Sequence, residues 1–201
     1  PDNKGFTSGK AIELANDPKT VYISLQQHVG APCEALVKVG DTVKVGQKIG
    51  DSKASLSAPV HASVSGIVKS ITKMYTAAGV KSDCVVIESD GLNEKIESSG
   101  STSIENVSKE DIINKIRDAG VVGLGGGAFP AHSKFMTSDD KSVNHVILNG
   151  AEWEPYLTCD HRIMLEQPEK VIQGLELIMK YLDAENGYIA IENNKMDAIE
   201  V

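Results

Sequence analysis

The feature that most limits the fold of this chain is a change in the rhythm of its apolar residues part-way along. From Val21 to about Ser89 the rhythm has a period of two. The stretch "ALVKVGDTVKVGQKIGDSKA" (35–54) strings short Val-x-Val units between Gly-Asp and Gly-Gln turns, and "TVYISL" before it is β-branched and alternating. "LSAPVHASVSGIVKSI" and "DCVVIES" add further short strands. Such units are too short and too frequently interrupted for helices, and each can bury only one face. They predict a small β barrel or sandwich.

Near residue 100 the chain becomes polar and rich in Ser and Gly, as in "DGLNEKIESSGSTSIENVSKE" (90–110), which reads as a connector. After it the period changes to that of a helix. In "SKEDIINKIRDAG" (108–120), Ser108 is placed to cap, acids follow in the first turn, and Ile112, Ile113, Ile116 and Ala119 share a face. Gly120 stands where a helix ends. "VNHVILNG" (143–150) reads as a buried strand, "QPEKVIQGLELIMKYLDAENG" (167–187) as a helix with Pro168 in its first turn, and "YIAIEN" (188–193) as another strand. That order predicts an α/β layer with a mostly parallel sheet. The expected organisation is therefore an N-terminal extension (1–20), a barrel-sandwich β domain (21–92), a linker (93–107) and the first part of an α/β domain (108–201).

Several function classes are excluded at this level. A formal charge of -8 and 4% aromatic residues oppose a nucleic-acid surface, which needs clustered cations and stacking rings. No apolar run approaches the ~18 residues of a membrane-spanning helix. Cys33, Cys84 and Cys159 are far apart, too few for an iron–sulfur cluster and too irregular for a disulfide framework. The start at Pro1 and the stop within "NNKMDAIEV", which reads as the opening of a helix, predict a piece of a longer protein.

Two stretches carry chemistry. In "GVVGLGGGAFPAHSKF" (120–135), four of the five residues from Gly123 to Gly127 are glycine; Phe129-Pro130 stiffens the exit and Lys134 supplies a cation. Gly123, Gly125 and Ala128 satisfy G-x-G-x-x-A, but the pattern follows a helix rather than a strand, so an ordinary dinucleotide fold is disfavoured. Glycines allow main-chain amides to approach an anion or a flat ring. The second stretch, "NGAEWEPYLTCDHRIMLE" (149–166), lies just past a strand end, where α/β proteins bind ligands. Asn149, Glu152 and Glu154 are its polar candidates. Cys159-Asp160-His161 cannot wrap a tetrahedral ion, and Asp160-His161-Arg162 reads as the polar start of a helix.

These two stretches resemble the C subunit of the Rnf electron-transport complex and, more distantly, the FMN-bearing, NADH-oxidising subunit of respiratory complex I. "VYISLQQHVGAPCEALVKVGDTVKVGQKIG" and "SAPVHASVSGIV" are similar to the N-terminal β domain of the Rnf family, so the resemblance covers nearly the whole chain. C-subunit-like proteins of amino-acid reductases in anaerobic bacteria, such as proline reductase, are similar too. The resemblance implies that the two loops clasp FMN while NAD(H) stacks on it. Gly123, Gly125, Gly126 and Gly127 would form the main-chain cradle and Lys134 would meet the phosphate or the ring edge. Asn149 and Glu152 would bond the flavin; Phe129 and Glu154 would help hold the nicotinamide nucleotide.

The implied parent passes electrons between NADH and iron–sulfur centres or ferredoxin. It would work in the cytoplasm, on the inner face of the cell membrane, through membrane-bound partner subunits. Its 4Fe-4S clusters would lie beyond Val201, and this piece alone is expected to be inactive. One departure stands out: the family usually has a small residue between the two glutamates, where this chain has Trp153, large enough to cover the flavin or obstruct the nucleotide.

Two other readings compete. One is a non-catalytic docking module of an electron-transfer complex. The other is a lipoyl- or biotinyl-type carrier, because Lys53 in "DSKA" resembles the modified lysine of such hairpins and "APV…SGIV" resembles the returning strand. The spacing is about two residues longer than carriers use and no Met flanks the lysine, so the expectation is a shared barrel architecture without the modification.

Overall fold

The structure, a computed structural model, describes residues 2–76, 79–97, 106–124, 127–136 and 142–201. Its contacts divide the chain into two compact units, Asn16–Thr137 and a second made of Pro1–Ala15 with Ser138–Val201.

In the first unit the short strands form two antiparallel sheets. β1 (Thr20–Ser24), β3 (Thr42–Val43), β6 (Gly66–Tyr75) and β7 (Lys81–Ser89) make a four-stranded sheet in the order β1-β7-β6-β3. β2 (Glu34–Ala35), β4 (Lys48–Asp51) and β5 (Val60–His61) make a three-stranded one in the order β2-β4-β5. Inward residues of both, including Val43, Ile49, Val68, Val85 and Ile87, exclude water completely and share one core. This is the barrel-sandwich arrangement that the Val-x-Val rhythm predicts. Burial of such side chains contributes roughly 1.5–3 kcal/mol each.

Helix α1 (Lys109–Asp118) begins as the sequence requires. Ser108 Oγ accepts from the Asp111 amide at 3.1 Å, and Glu110 and Asp111 sit in the positive first turn. Ile112 is buried, whereas Ala119 faces solvent. The helix is tied to the β sheets of its own unit. Arg117 bonds Asp51 at 2.9 Å and the Ser52 carbonyl at 3.0 Å, and Lys48 pairs with Asp118 at 2.9 Å. Gly120, at φ 68°, turns the chain where any Cβ would run into the Pro59 carbonyl. A short helix α2 (Ala131–Phe135), not foreseen from the sequence, follows the glycine run, and Ser133 Oγ donates to the Ser55 carbonyl at 3.2 Å. These ties are why contacts group residues 109–136 with the strands, a different division from the compositional one at 93–107.

In the second unit β8 (His145–Asn149) and β9 (Asn186–Ala190) pair in parallel, as predicted, with β9 starting two residues earlier than its apolar run. They are connected through α3 (Cys159–Glu166) and α4 (Pro168–Leu182). Pro168 opens α4, and Asp183 closes it at φ 53°. A final turn, α5 (Asp197–Glu200), is the helix expected in "NNKMDAIEV". No helix among the described residues is long and apolar enough to cross a membrane.

Candidate functional site

The residues flanking the glycine run are bonded to one another. Gly123 N–H donates to the Phe129 carbonyl at 3.0 Å, Ala128 N–H to the Gly123 carbonyl at 2.9 Å, and Ala131 N–H to the Val121 carbonyl at 2.9 Å. Val122 bridges Pro130 in the same ladder. The amide of Gly123 is therefore engaged inside the loop. Gly125 and Gly126 lie outside the described residues. Leu124 and Gly127 at the tip have amides with no partner among the described residues, and a Cβ on Gly127 would meet nothing within 4 Å. Phe129 is part-exposed at 38%. Lys134 is exposed on α2 and makes no ion pair among the described residues.

The acidic loop is built very differently. It begins at the carboxyl end of β8, where exposed Asn149 accepts from the Ala151 amide through Oδ1 at 3.1 Å. Its Nδ2 donors have no protein partner among the described residues. Glu152, which the resemblance assigns to the flavin, turns inward and is 1% exposed. Oε1 accepts from the Asp160 amide at 2.8 Å, and Oε2 faces Lys195 at 3.4 Å and Lys4 at 3.6 Å. Burial opposes ionisation there, but the Asp160 amide and the two ammonium groups hold its carboxyl below the usual range. Trp153 projects into solvent at 75% exposure, and Glu154 is half-buried.

Neither lysine is singled out by the sequence. Lys195 lies beyond β9 and also pairs with Glu192 at 2.9 Å. Lys4 sits in a single 3-10 turn (Lys4–Phe6), inside what the sequence predicts as an extension. No local spacing signals either residue, because Glu152 is 43 positions away from Lys195 and 148 from Lys4 (195 minus 152; 152 minus 4).

Beside them, Glu152, Cys159 and Asp160 place ligand atoms within 4.8 Å of one another. The carboxylate is already compensated by two lysines. Burial, then Asp160 and Glu152, push the Cys159 thiol up, so it stays protonated and donates to Glu152 at 3.6 Å. His161 turns instead to Asp197 at 3.0 Å. That is the polar helix start read from the sequence. Within the β sheets, His28 Nε2 accepts from the Ala58 amide at 3.1 Å, and Cys33 donates to the Ala58 carbonyl at 3.1 Å, a satisfied structural network.

Each unit, taken by itself, carries donors of the kinds that FMN uses. A flavin mononucleotide needs a cation or bare amides for its phosphate and amide-type groups for its ring edge. In the first unit Lys134 and the Leu124 and Gly127 amides, and separately in the second Asn149 Nδ2, are protein groups of those kinds, with no partner among the described residues.

The RnfC barrel sandwich hybrid domain matches residues 1–92, and the Nuo51 FMN-binding domain matches residues 116–201. The C subunit of the Na(+)-translocating ferredoxin:NAD(+) oxidoreductase complex of Acetobacterium woodii is 45% identical over 203 residues, covering 100% of this chain and 45% of that protein. Its counterpart in the proton-translocating ferredoxin:NAD(+) oxidoreductase complex of Clostridium ljungdahlii is 44% identical, covering 99% and 44%. The C subunit of an ion-translocating oxidoreductase complex of Haemophilus influenzae is 41% identical, covering 99% and 31%. The chain thus spans less than half the length of these relatives. Two domain matches in the same order, with relatives similar from end to end of this sequence, place the chain in the RnfC family, the C subunits of ion-translocating oxidoreductase complexes.

Proposed function

We propose that this chain is the FMN-binding portion of an electron-transfer subunit that exchanges electrons between NAD(H) and a ferredoxin-type donor or acceptor. The observation that carries this reading is the acidic turn at the carboxyl end of a parallel strand. Its charged interior is fixed by buried pairs, while Asn149 and Trp153 are left exposed. Membership of the RnfC family supports it. Bound FMN would supply the chemistry, accepting a hydride from NADH and releasing electrons singly.

The protein's own groups then have separate tasks. Lys134 offers a positive charge for a phosphate, and the tip amides of the glycine loop add uncharged donors. Asn149 Nδ2 offers a ring-edge hydrogen bond. Glu152 acts from behind, as the buried anchor of the turn, rather than by direct contact with flavin. Phe129 and Glu154 are assigned to the nicotinamide nucleotide, and Trp153 to shielding of the ring face. The remaining subunits of the complex, the membrane association and the 4Fe-4S clusters belong to the parent assembly in this proposal.

The test is a titration of FMN against the protein, read by quenching of flavin fluorescence. Saturable quenching is expected, and Lys134→Ala should weaken it by about tenfold or more, the worth of one charge-assisted hydrogen bond. Absence of binding would favour a docking module instead. Binding that ignores Lys134→Ala would remove that lysine from the site.

A further inference from the structure

The first residues of the chain return to the acidic turn, about 150 positions later, and bond four of its main-chain groups. Lys4 Nζ donates to the Glu154 carbonyl at 3.0 Å and the Leu157 carbonyl at 2.7 Å, and faces Glu152 Oε2 at 3.6 Å. Tyr156 N–H donates to the Asp2 carbonyl at 2.9 Å, and Thr7 Oγ1 donates to the Tyr156 carbonyl at 3.3 Å. Farther on, the Ile12 amide donates to Glu166 on α3 at 3.0 Å. Tyr156 itself is held at φ 68°, a left-handed conformation that a bulky side chain adopts only when its surroundings impose it.

We propose that the amino-terminal segment is a structural strap of the flavin-side unit, with Lys4 as the positioning residue that sets the Glu152–Leu157 turn. This rests on the reading that the turn serves the flavin and the nicotinamide nucleotide. An ammonium group has three donors and no acceptor. Here two of them meet carbonyls and the third faces a carboxylate. Lys4 and Lys195 both face Glu152, and Lys195 also pairs with Glu192. An uncompensated buried charge is costly, so Glu152, 1% exposed, depends on the cations that face it.

A consequence follows for domain architecture. Residues 1–92 match the barrel domain as a family, yet residues 1–15 fold with residues 138–201. In chain order the barrel-bearing unit is an insertion between the strap and the turn it braces. The strap is thus a positioning element of the electron-transfer site, although it is covalently the leader of the barrel.

The single tryptophan of this sequence, Trp153, lies inside the braced turn and reports on it directly. The experiment compares the protein with its Lys4→Met and Lys10→Met variants, reading Trp153 fluorescence anisotropy and FMN affinity on the same samples. Lys10 is an exposed lysine of the same segment and serves as the control. Lys4→Met is expected to lower the anisotropy and to weaken FMN binding by about tenfold or more, as loss of charge-assisted hydrogen bonds to the turn requires. Lys10→Met should leave both unchanged.

Wild-type anisotropy together with wild-type FMN affinity in Lys4→Met would overturn the proposal. So would an unchanged anisotropy alone in a protein that binds no flavin. Failure of the wild-type protein to bind FMN would instead defeat the functional reading, while the anisotropy still decides the strap. Should Lys4→Met not fold, Lys4→Arg carries the test. It keeps the charge but cannot aim three donors from one nitrogen at the same three acceptors, so an intermediate loss of anisotropy is expected, and none would overturn the proposal.

Discussion

Gly120 and Gly127 give a matched pair for testing how the glycine run is seated. Both have positive φ, 68° and 69°, so alanine at either incurs the left-handed penalty, about 1–2 kcal/mol for an L residue. Their surroundings differ. At Gly127 the added methyl meets nothing within 4 Å, whereas at Gly120 it collides with the Pro59 carbonyl and comes within 3.2 Å of the His61 ring. Backbone cannot swing aside as a flexible side chain can, so Gly120→Ala should carry a further overpacking cost of about 1–3 kcal/mol. The expected losses are therefore about 1–2 kcal/mol for Gly127→Ala and about 2–5 kcal/mol for Gly120→Ala. Urea denaturation followed by far-UV circular dichroism measures both. Each kilocalorie should also move the thermal midpoint by roughly 2–4 °C in a chain of this size. Equal losses in the two variants would refute the reasoning, because they would mean that the end of α1 does not press on Pro59.

Other outcomes follow from the buried charges and the β hairpins. Glu152→Gln leaves Lys4 and Lys195 facing a neutral amide and should cost about 3–5 kcal/mol, measured by urea unfolding monitored at Trp153; a loss below about 1 kcal/mol would contradict the ion-pair cluster. Burial lowers the pKa values of His61 and His132 from the ordinary 6.5, with Lys48 adding to the effect at His61 and Arg117 at His132. The folded state then binds fewer protons than the unfolded one, so their contribution is full above pH 6.5 and is lost as pH falls through the folded values. A thermal midpoint that stays flat between about pH 7 and 5 would refute this linkage. Lys53 should remain unmodified when the protein is produced in cells that attach lipoyl and biotinyl groups, and an intact mass carrying either group would reinstate the carrier reading.

The parts of the fold legible in the sequence are those fixed by nearest neighbours. Val-x-Val units, the Ser108 cap, Pro168 at a helix start and the apolar runs of β8 and β9 each carry their instruction within a few residues. The glycine run is legible as a loop, but its internal ladder is not. Nothing in "GLGGGAF" announces that Gly123 closes onto Phe129 and so loses its amide as a donor. Glu152 is found by type, but its inward direction is not legible. A Glu-x-Glu pattern past a strand end says that carboxylates are present, and whether one turns inward depends on cations supplied from elsewhere. Those cations, Lys4 and Lys195, come from opposite ends of the chain.

This distribution has a physical logic. A loop that holds a planar ligand, as proposed for this turn, cannot stiffen itself by burying its own apolar residues, because its exposed face is the one in use. Rigidity then has to come from behind, through main-chain carbonyls and a charged anchor, and those contacts draw on any segment that folding brings near. Four main-chain groups of the turn, the carbonyls of Glu154, Tyr156 and Leu157 and the amide of Tyr156, are bonded by residues 2–7. Closing so long a chain loop costs entropy only logarithmically in its length, whereas several charge-assisted bonds add roughly in proportion to their number. Bracing from a distant terminus is therefore thermodynamically accessible even with a whole β unit between brace and site. In consequence, local sequence patterns reveal the exposed half of such a site and conceal the half that holds it in place.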